Sequence, residues 1–347
     1  MFKSHRSIRP AAPVFSRRRA AAALAIPWLA GALLGCGGSE PPPNVQRVIV
    51  FGDSLSDLGT YKKRSVALGE PSGGKFTVNP GPLWVENVAS YYGTTIGLNR
   101  TAGFGSAPTL EGGTGYAEGG SRVAEQPGSN NTDATMGPNS GASTLPVKDQ
   151  ITAHLQQKGA FNASDLVLVW VGTNDVFRPI GIAPVAPEVG VPQVQKAADD
   201  LAKELARLKA NGALKIAVLN LDDLGKAPIV AFSSAAQSYA TALSAAFNAR
   251  LATHVNGLGG VVLVDIQGLF SDVRTNPSKY GLSNLTGTAC LPRTDISSYS
   301  AVCTKSTLVA PNANNTYLYA DTVHYTDKTN QIISDYVIGK VSPLFPK

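Results

Sequence analysis

Arg47-Val48-Ile49-Val50-Phe51-Gly52-Asp53-Ser54-Leu55-Ser56-Asp57-Leu58-Gly59 runs four apolar residues straight into Gly-Asp-Ser. Val48 to Phe51 reads as a strand buried on both faces, because it is β-rich and does not alternate. Gly52 permits a sharp turn at the strand's end. Ser54 then stands just past the carboxyl edge, at the mouth of a helix, and in open α/β sheets ligands bind at that edge. The first N–H groups of a helix lack intrahelical partners, so they can face a developing oxyanion. A serine placed there can be a nucleophile. A simple helix cap by Asp53 or Ser54 fits the stretch equally well. The rest of the chain has to decide.

Three further runs read as strands: Leu166 to Val171, Lys215 to Leu221 and Gly260 to Ile266. Helical patterns lie at Pro82–Tyr92, Gln150–Lys158, Val194–Ala210, Ala235–Val255, Leu269–Val273 and Tyr325–Ile338, with a helix or helical turn inside Leu55–Leu68. Strands alternating with helices imply a parallel sheet covered on both faces. Residues 100–143, rich in Gly, Ser, Asn and Thr, read as an irregular functional loop, and 179–192 as a proline-rich excursion. With no repeat and no break followed by a fresh core, residues 45–347 read as one domain.

The amino terminus is a different material. Lys3, Arg6, Arg9, Arg17, Arg18 and Arg19 stand without an acidic residue before an apolar run, Ala20 to Leu34. That pattern is an export signal, with a run too short for a membrane span. Leu33-Leu34-Gly35-Cys36 resembles a bacterial lipobox, which makes Cys36 the expected lipidation site and membrane anchor, with residues 37–44 as a tether. The expected location is a bacterial envelope, or outside the cell if the signal is simply removed. The chain carries +6, with 30 basic and 24 acidic residues. Those six basic residues leave with the signal, so the remainder is neutral and offers no argument for nucleic-acid binding. Hydrophobic content of 43% with 16% charged residues fits a globular fold.

Two other cysteines, Cys290 and Cys303, lie close together in a polar loop, and in an exported chain such a pair is expected to form a disulfide. No ligand-spaced His or third Cys accompanies them, so no metal site is indicated.

Histidine is scarce, which permits elimination. His154 and His254 lie in helices and read as packing or surface residues. His324 stands in Asp321-Thr322-Val323-His324, where the three-residue spacing puts Asp and His on one side of a turn. The Asp could fix the imidazole tautomer and leave the other nitrogen free as a base; a cap by Asp321 with a solvent-facing His is equally compatible. Gly172-Thr173-Asn174-Asp175 follows a buried strand, so it shares the sheet edge with Ser54. The Asn amide could donate to an oxyanion, or the residues could merely form a turn. Gly119-Gly120 could offer a backbone N–H at close approach.

Gly-Asp-Ser-Leu, then Gly-Gly, then Gly-Thr-Asn-Asp, then Asp-x-x-His, in this order, resembles the GDSL branch of the SGNH hydrolase family over nearly the whole mature chain. The resemblance implies Ser54 as nucleophile and Asp321 and His324 as its partners. It implies the N–H groups of Ser54 and Gly120 and the side chain of Asn174 as oxyanion donors. It also implies a three-layer α/β/α sandwich on a parallel sheet of five strands, no cofactor, and a serine esterase or lipase acting on small-molecule or lipid esters. Carbohydrate O-acetylesterases and acyltransferases occur in the same family, and a non-catalytic envelope-binding lipoprotein is the alternative outside enzymes. Thr60 and Gly115 stand where close family members often carry Asn. The chain has no Gly-x-Ser-x-Gly elbow and no His-Glu-x-x-His zinc motif.

Overall fold

The computed structural model describes residues 44–129, 141–182 and 186–347. Strand β1 (Arg47–Gly52) leads through a 3-10 turn at Ser54–Ser56 to α1 (Lys62–Ala67) and α2 (Trp84–Tyr91). A hairpin of β2 (Arg100–Gly103) and β3 (Ser106–Leu110) comes next, then α3 (Val147–Lys158), β4 (Asp165–Trp170) and α4 (Thr173–Ile182). Helix α5 (Pro187–Ala210), β5 (Lys215–Leu219), α6 (Ser234–Val255), β6 (Val261–Val264) and α7 (Ile266–Thr275) follow. The chain closes with β7 (Asn284–Thr288), α8 (Ala313–Thr316), β8 (Tyr317–Tyr319) and α9 (Asp327–Val341). The expected signal, Cys36 and nearly all of the tether lie outside the described residues, as do residues 130–140.

Strands β1, β4, β5 and β6 form a parallel sheet in the order β1-β4-β5-β6. Their apolar runs do not alternate because both faces are covered. Val48, Val50, Leu166, Leu168 and Trp170 pack against α2, α7 and α9. Ile49, Phe51, Val167, Val169, Ile216 and Val218 pack against α3, α5 and α6 on the other side. The result is the expected α/β/α sandwich. Arg47 and Asp165, the first residues of β1 and β4, join in a bidentate ion pair at 2.8 and 2.7 Å.

The strand count differs from expectation: this sheet has four strands, not five. Residues 114–118 occupy the fifth position beside β1. Val50 N donates to Thr114 O (3.0 Å), Tyr116 N to Val50 O (2.8 Å) and Glu118 N to Gly52 O (3.2 Å). Regular pairing with β1 is limited to one parallel bridge, Val50–Gly115, while on the opposite side Gly112, Gly113 and Gly115 donate to Asn99, Leu98 and Gly97. The chain therefore flanks β1 first on one side and later, with β4, on the other. That makes the carboxyl end of β1 a topological switch point, and Ser54 sits there.

Two local readings are also corrected. Residues 100–110 form a hairpin, turned by Gly103, Phe104 and Gly105 at φ 82°, 52° and 80°. The proline-rich stretch is largely helical: Pro179 lies inside α4, and α5 begins at Pro187 and runs through Pro192. Proline suits the first turn of α5 because its missing N–H has no helical partner there.

His154 is a packing residue, fully buried and stacked on Phe161 with ring centroids 4.4 Å apart. Burial lowers its pKa to about 4, so it stays neutral in the core. His254 is a surface residue 2.6 Å from Asp199. Cys290 and Cys303 form a disulfide with a Cα–Cα distance of 5.8 Å.

Candidate active site

The turn carrying Ser54 is fixed from several directions. Gly52 has no room for a side chain, since a Cβ there would meet Trp170 O at 2.3 Å. Its peptide N–H donates to Gln150 Oε1 (2.9 Å), and its carbonyl accepts from Gln150 Nε2 (2.8 Å). Asp53 N donates to Trp170 O (3.3 Å). The Asp53 carboxylate is the cap of the following 3-10 turn, its Oδ1 accepting from Leu55 N at 3.1 Å. Capping therefore falls to Asp53, and the Ser54 hydroxyl has no hydrogen-bond partner among the described residues. Burial pushes the Asp53 carboxyl up to about 7, and its Oδ2 is buried without a partner among the described residues.

Asp57 joins this turn to the second glycine pair. It is fully buried and accepts from Gly59 N (2.8 Å), Thr60 N (2.7 Å) and Gly119 N (2.8 Å). Burial raises its pKa to about 6 against these donors. Thr60 adds a bond from its hydroxyl to Ala117 O (3.3 Å). At Gly115 a Cβ would lie 2.5 Å from Leu58 Cδ1, so an Asn there would require the Leu58 side chain to shift. Held in this way, Gly120 takes φ +81°, a left-handed conformation suited to glycine. The N–H groups of Ser54 and Gly120 have no partner among the described residues.

Asn174 stands in the first turn of α4. Its Nδ2 donates to Ser121 O (2.8 Å), and its Oδ1 accepts from the Ser129 hydroxyl. These bonds set the amide orientation and leave the second Nδ2 hydrogen for a ligand. The neighbouring Asp175 accepts from Arg122 Nε and Val123 N, both at 3.0 Å, and so ties α4 to the chain beyond Gly120. Burial raises Asp175 to about 6.

The Asp321–His324 turn precedes α9. His324 Nδ1 lies 2.8 Å from both Asp321 oxygens. Asp321 Oδ1 also accepts from Val323 N (2.9 Å) and His324 N (2.8 Å), and Oδ2 from Ser300 N (3.1 Å) and Ser300 Oγ (2.5 Å). Burial alone would raise the pKa of Asp321. The facing His324 charge and these donors override it and hold the carboxyl well below the usual range. An ionised carboxylate only accepts, so Nδ1 carries the hydrogen and Nε2 is left as the basic nitrogen. Phe76 stacks on the imidazole with centroids 4.8 Å apart and an interplanar angle of 29°.

Ser54, Gly120, Asn174, Asp321 and His324 line one cleft of about 220 Å³, with Phe76, Phe177, Ile229 and Val323 as apolar wall. The structure thus brings together every residue singled out for catalysis in the sequence. Sequence reading missed the group behind them: Gln150, Asp57, Asp175, Ser300 and Phe76. The cleft thus collects a serine hydroxyl, an imidazole with an oriented tautomer and three residues able to donate hydrogen bonds, the kinds of group that acyl transfer requires.

A family model described as GDSL-like lipase/acylhydrolase matches residues 48–337. A phosphatidylcholine-sterol acyltransferase of Aeromonas hydrophila is 29% identical, with 73% of this chain and 67% of that protein covered. The esterase EstA of Pseudomonas aeruginosa is 27% identical, with 91% of this chain but only 50% of that protein covered; the chain spans half the length of that relative. A GDSL esterase/lipase of Arabidopsis thaliana is 26% identical, with 84% of this chain and 86% of that protein covered. A match over nearly all of the described fold shows that the chain belongs to the GDSL-like lipase/acylhydrolase family and, with it, to the carboxylic ester hydrolases.

Proposed function

We propose that the chain cleaves fatty-acyl or short-chain carboxylic esters through an acyl-enzyme on Ser54. One observation carries this reading: a serine hydroxyl without a partner among the described residues shares a cleft with an imidazole whose Nδ1 is held by a buried carboxylate. In the proposed cycle the hydroxyl attacks the carbonyl carbon while His324 Nε2 takes its proton. The carbonyl oxygen becomes an oxyanion held by the N–H groups of Ser54 and Gly120 and by Asn174 Nδ2. The imidazolium, stabilised by Asp321, protonates the departing alkoxide. Water enters, gives its proton to His324, and releases the acid by the same steps in reverse.

The similarity to an acyltransferase supports a second reading, in which an added alcohol competes with water for the acyl-enzyme. Both readings are tested on p-nitrophenyl esters of increasing acyl length, beside phospholipid and acetylated xylan, with and without added alcohol. Turnover beyond the acetyl ester is expected, and turnover confined to acetyl groups would replace this reading by O-acetylesterase. In the same assay Asn174→Ala should lower kcat about a hundred- to a thousandfold, with KM little changed. A loss below about threefold would remove Asn174 from the oxyanion site.

A further inference from the structure

A second cavity adjoins the catalytic cleft. It holds about 260 Å³ between Tyr61, Phe76, Phe104 and Ile296, with Arg64 and Asp295 as its charged lining. Phe76, Ser297 and Ser298 line both spaces, so the two share one wall. Because Phe76 stacks on His324, the second cavity lies on the imidazole side of Ser54. In the cycle above, the leaving alcohol must bring its oxygen to the imidazolium that protonates it. The alcohol portion of the ester is therefore the part directed past Phe76. The acyl portion is left with the wall formed by Phe177, Ile229 and Val323.

The charges in this cavity do not cancel. Both Asp295 oxygens are taken by Arg293, at 2.9 and 2.7 Å. Arg64 is half-buried, with its guanidinium 5.7 Å from the Phe104 ring centroid. Among the described residues it has no ion pair, and none of its side-chain N–H groups is hydrogen-bonded. The guanidinium lies over the aromatic ring, and Arg64 lines a space of head-group size. A planar guanidinium matches phosphate or carboxylate by paired hydrogen bonds. The volume falls below the ~300–1,000 Å³ of pockets for drug-sized ligands, which suits a small polar group rather than a long acyl chain. Lys62 and Lys63, both exposed at the start of α1, add positive potential nearby.

We propose that this cavity is the subsite for the alcohol portion of the ester, and that Arg64 receives an anionic group carried by that alcohol, a phosphate or a carboxylate. The proposal rests on Ser54 catalysis as described above. It is tested with the full chain at fixed low ionic strength on two ester pairs sharing a butyryl group. One pair is 1-butyrylglycerol 3-phosphate against 1-butyrylglycerol, and the other is 3-butyryloxypropanoate against propyl butyrate. The ratio of kcat/KM, anionic over neutral, should be about ten to a hundred in at least one pair, and the pair that shows it identifies the anion. Arg64→Gln should bring that ratio close to one, and Arg64→Lys should restore part of it. A ratio near one in both pairs, or a preference that survives Arg64→Gln, would overturn the subsite while leaving ester cleavage intact. Cleavage of none of the four esters would overturn the Ser54 mechanism and the subsite with it.

Discussion

Ser54→Ala is expected to lower kcat/KM for p-nitrophenyl butyrate by about ten-thousandfold to a millionfold, the scale set by removing the nucleophile of a unit that acts together. The loss should fall on kcat, since the oxyanion donors and the apolar wall still bind the ester. The fold should be untouched. The hydroxyl has no partner among the described residues, and the capping bond of the turn belongs to Asp53. The melting temperature should hold or rise slightly, as when an unsatisfied catalytic group is removed. A variant that kept a tenth of the activity would show that another residue attacks the ester.

Asp321→Asn should reduce kcat about a thousand- to ten-thousandfold and also destabilise the protein. The amide cannot hold the Nδ1–H tautomer as a carboxylate does. Its NH2 group has no good orientation either. Oδ1 faces the N–H groups of Val323 and His324, and Oδ2 faces the N–H and the hydroxyl of Ser300, so either placement sets the amide NH2 against an N–H donor. Losing one partner of a buried charged network costs roughly 2–4 kcal/mol. The pH dependence has a definite sign. The folded-state pKa of Asp321 is depressed, so its stabilising contribution is present above the ordinary value of 3.8 and is lost as pH falls below it. Wild type should therefore lose stability in acid more steeply than the variant. Calorimetry on both between pH 3 and 7 checks the stability arm, and a variant as stable and active as wild type would mean that another group orients His324.

The parts of this fold legible in the sequence are those set by short-range pattern. Val48–Phe51 and Leu166–Val171 read as buried strands because helices cover both faces of the sheet, which removes the alternation of a one-sided strand. Asn174 and the Asp321–His324 pair stood out as candidates because each lies within a few residues of a strand end or helix start, and their roles came from the resemblance that the four ordered motifs carry. What escaped depends on contacts across long stretches of chain. Gln150 holds Gly52 from 98 residues away, and Asp57 reaches Gly119 across 62. Nothing in a helix reading of Gln150 announces that its amide completes the end of β1. The missing fifth strand has the same origin. Residues 114–118 lie along β1 between it and residues 97–98, a placement that only the folded arrangement reveals. The stretch 179–192 reads as a proline-rich excursion, because local propensity cannot anticipate helices held by tertiary packing.

The central claim is that Ser54 attacks the ester carbonyl, and covalent trapping tests it most directly. The protein is treated with diethyl p-nitrophenyl phosphate, digested, and its peptides are mapped by mass spectrometry. The account predicts one diethylphosphoryl group per chain, on Ser54, appearing in step with loss of esterase activity and absent from Ser54→Ala. Activity lost with the label on another side chain, or full inactivation with Ser54 unlabelled, would contradict it.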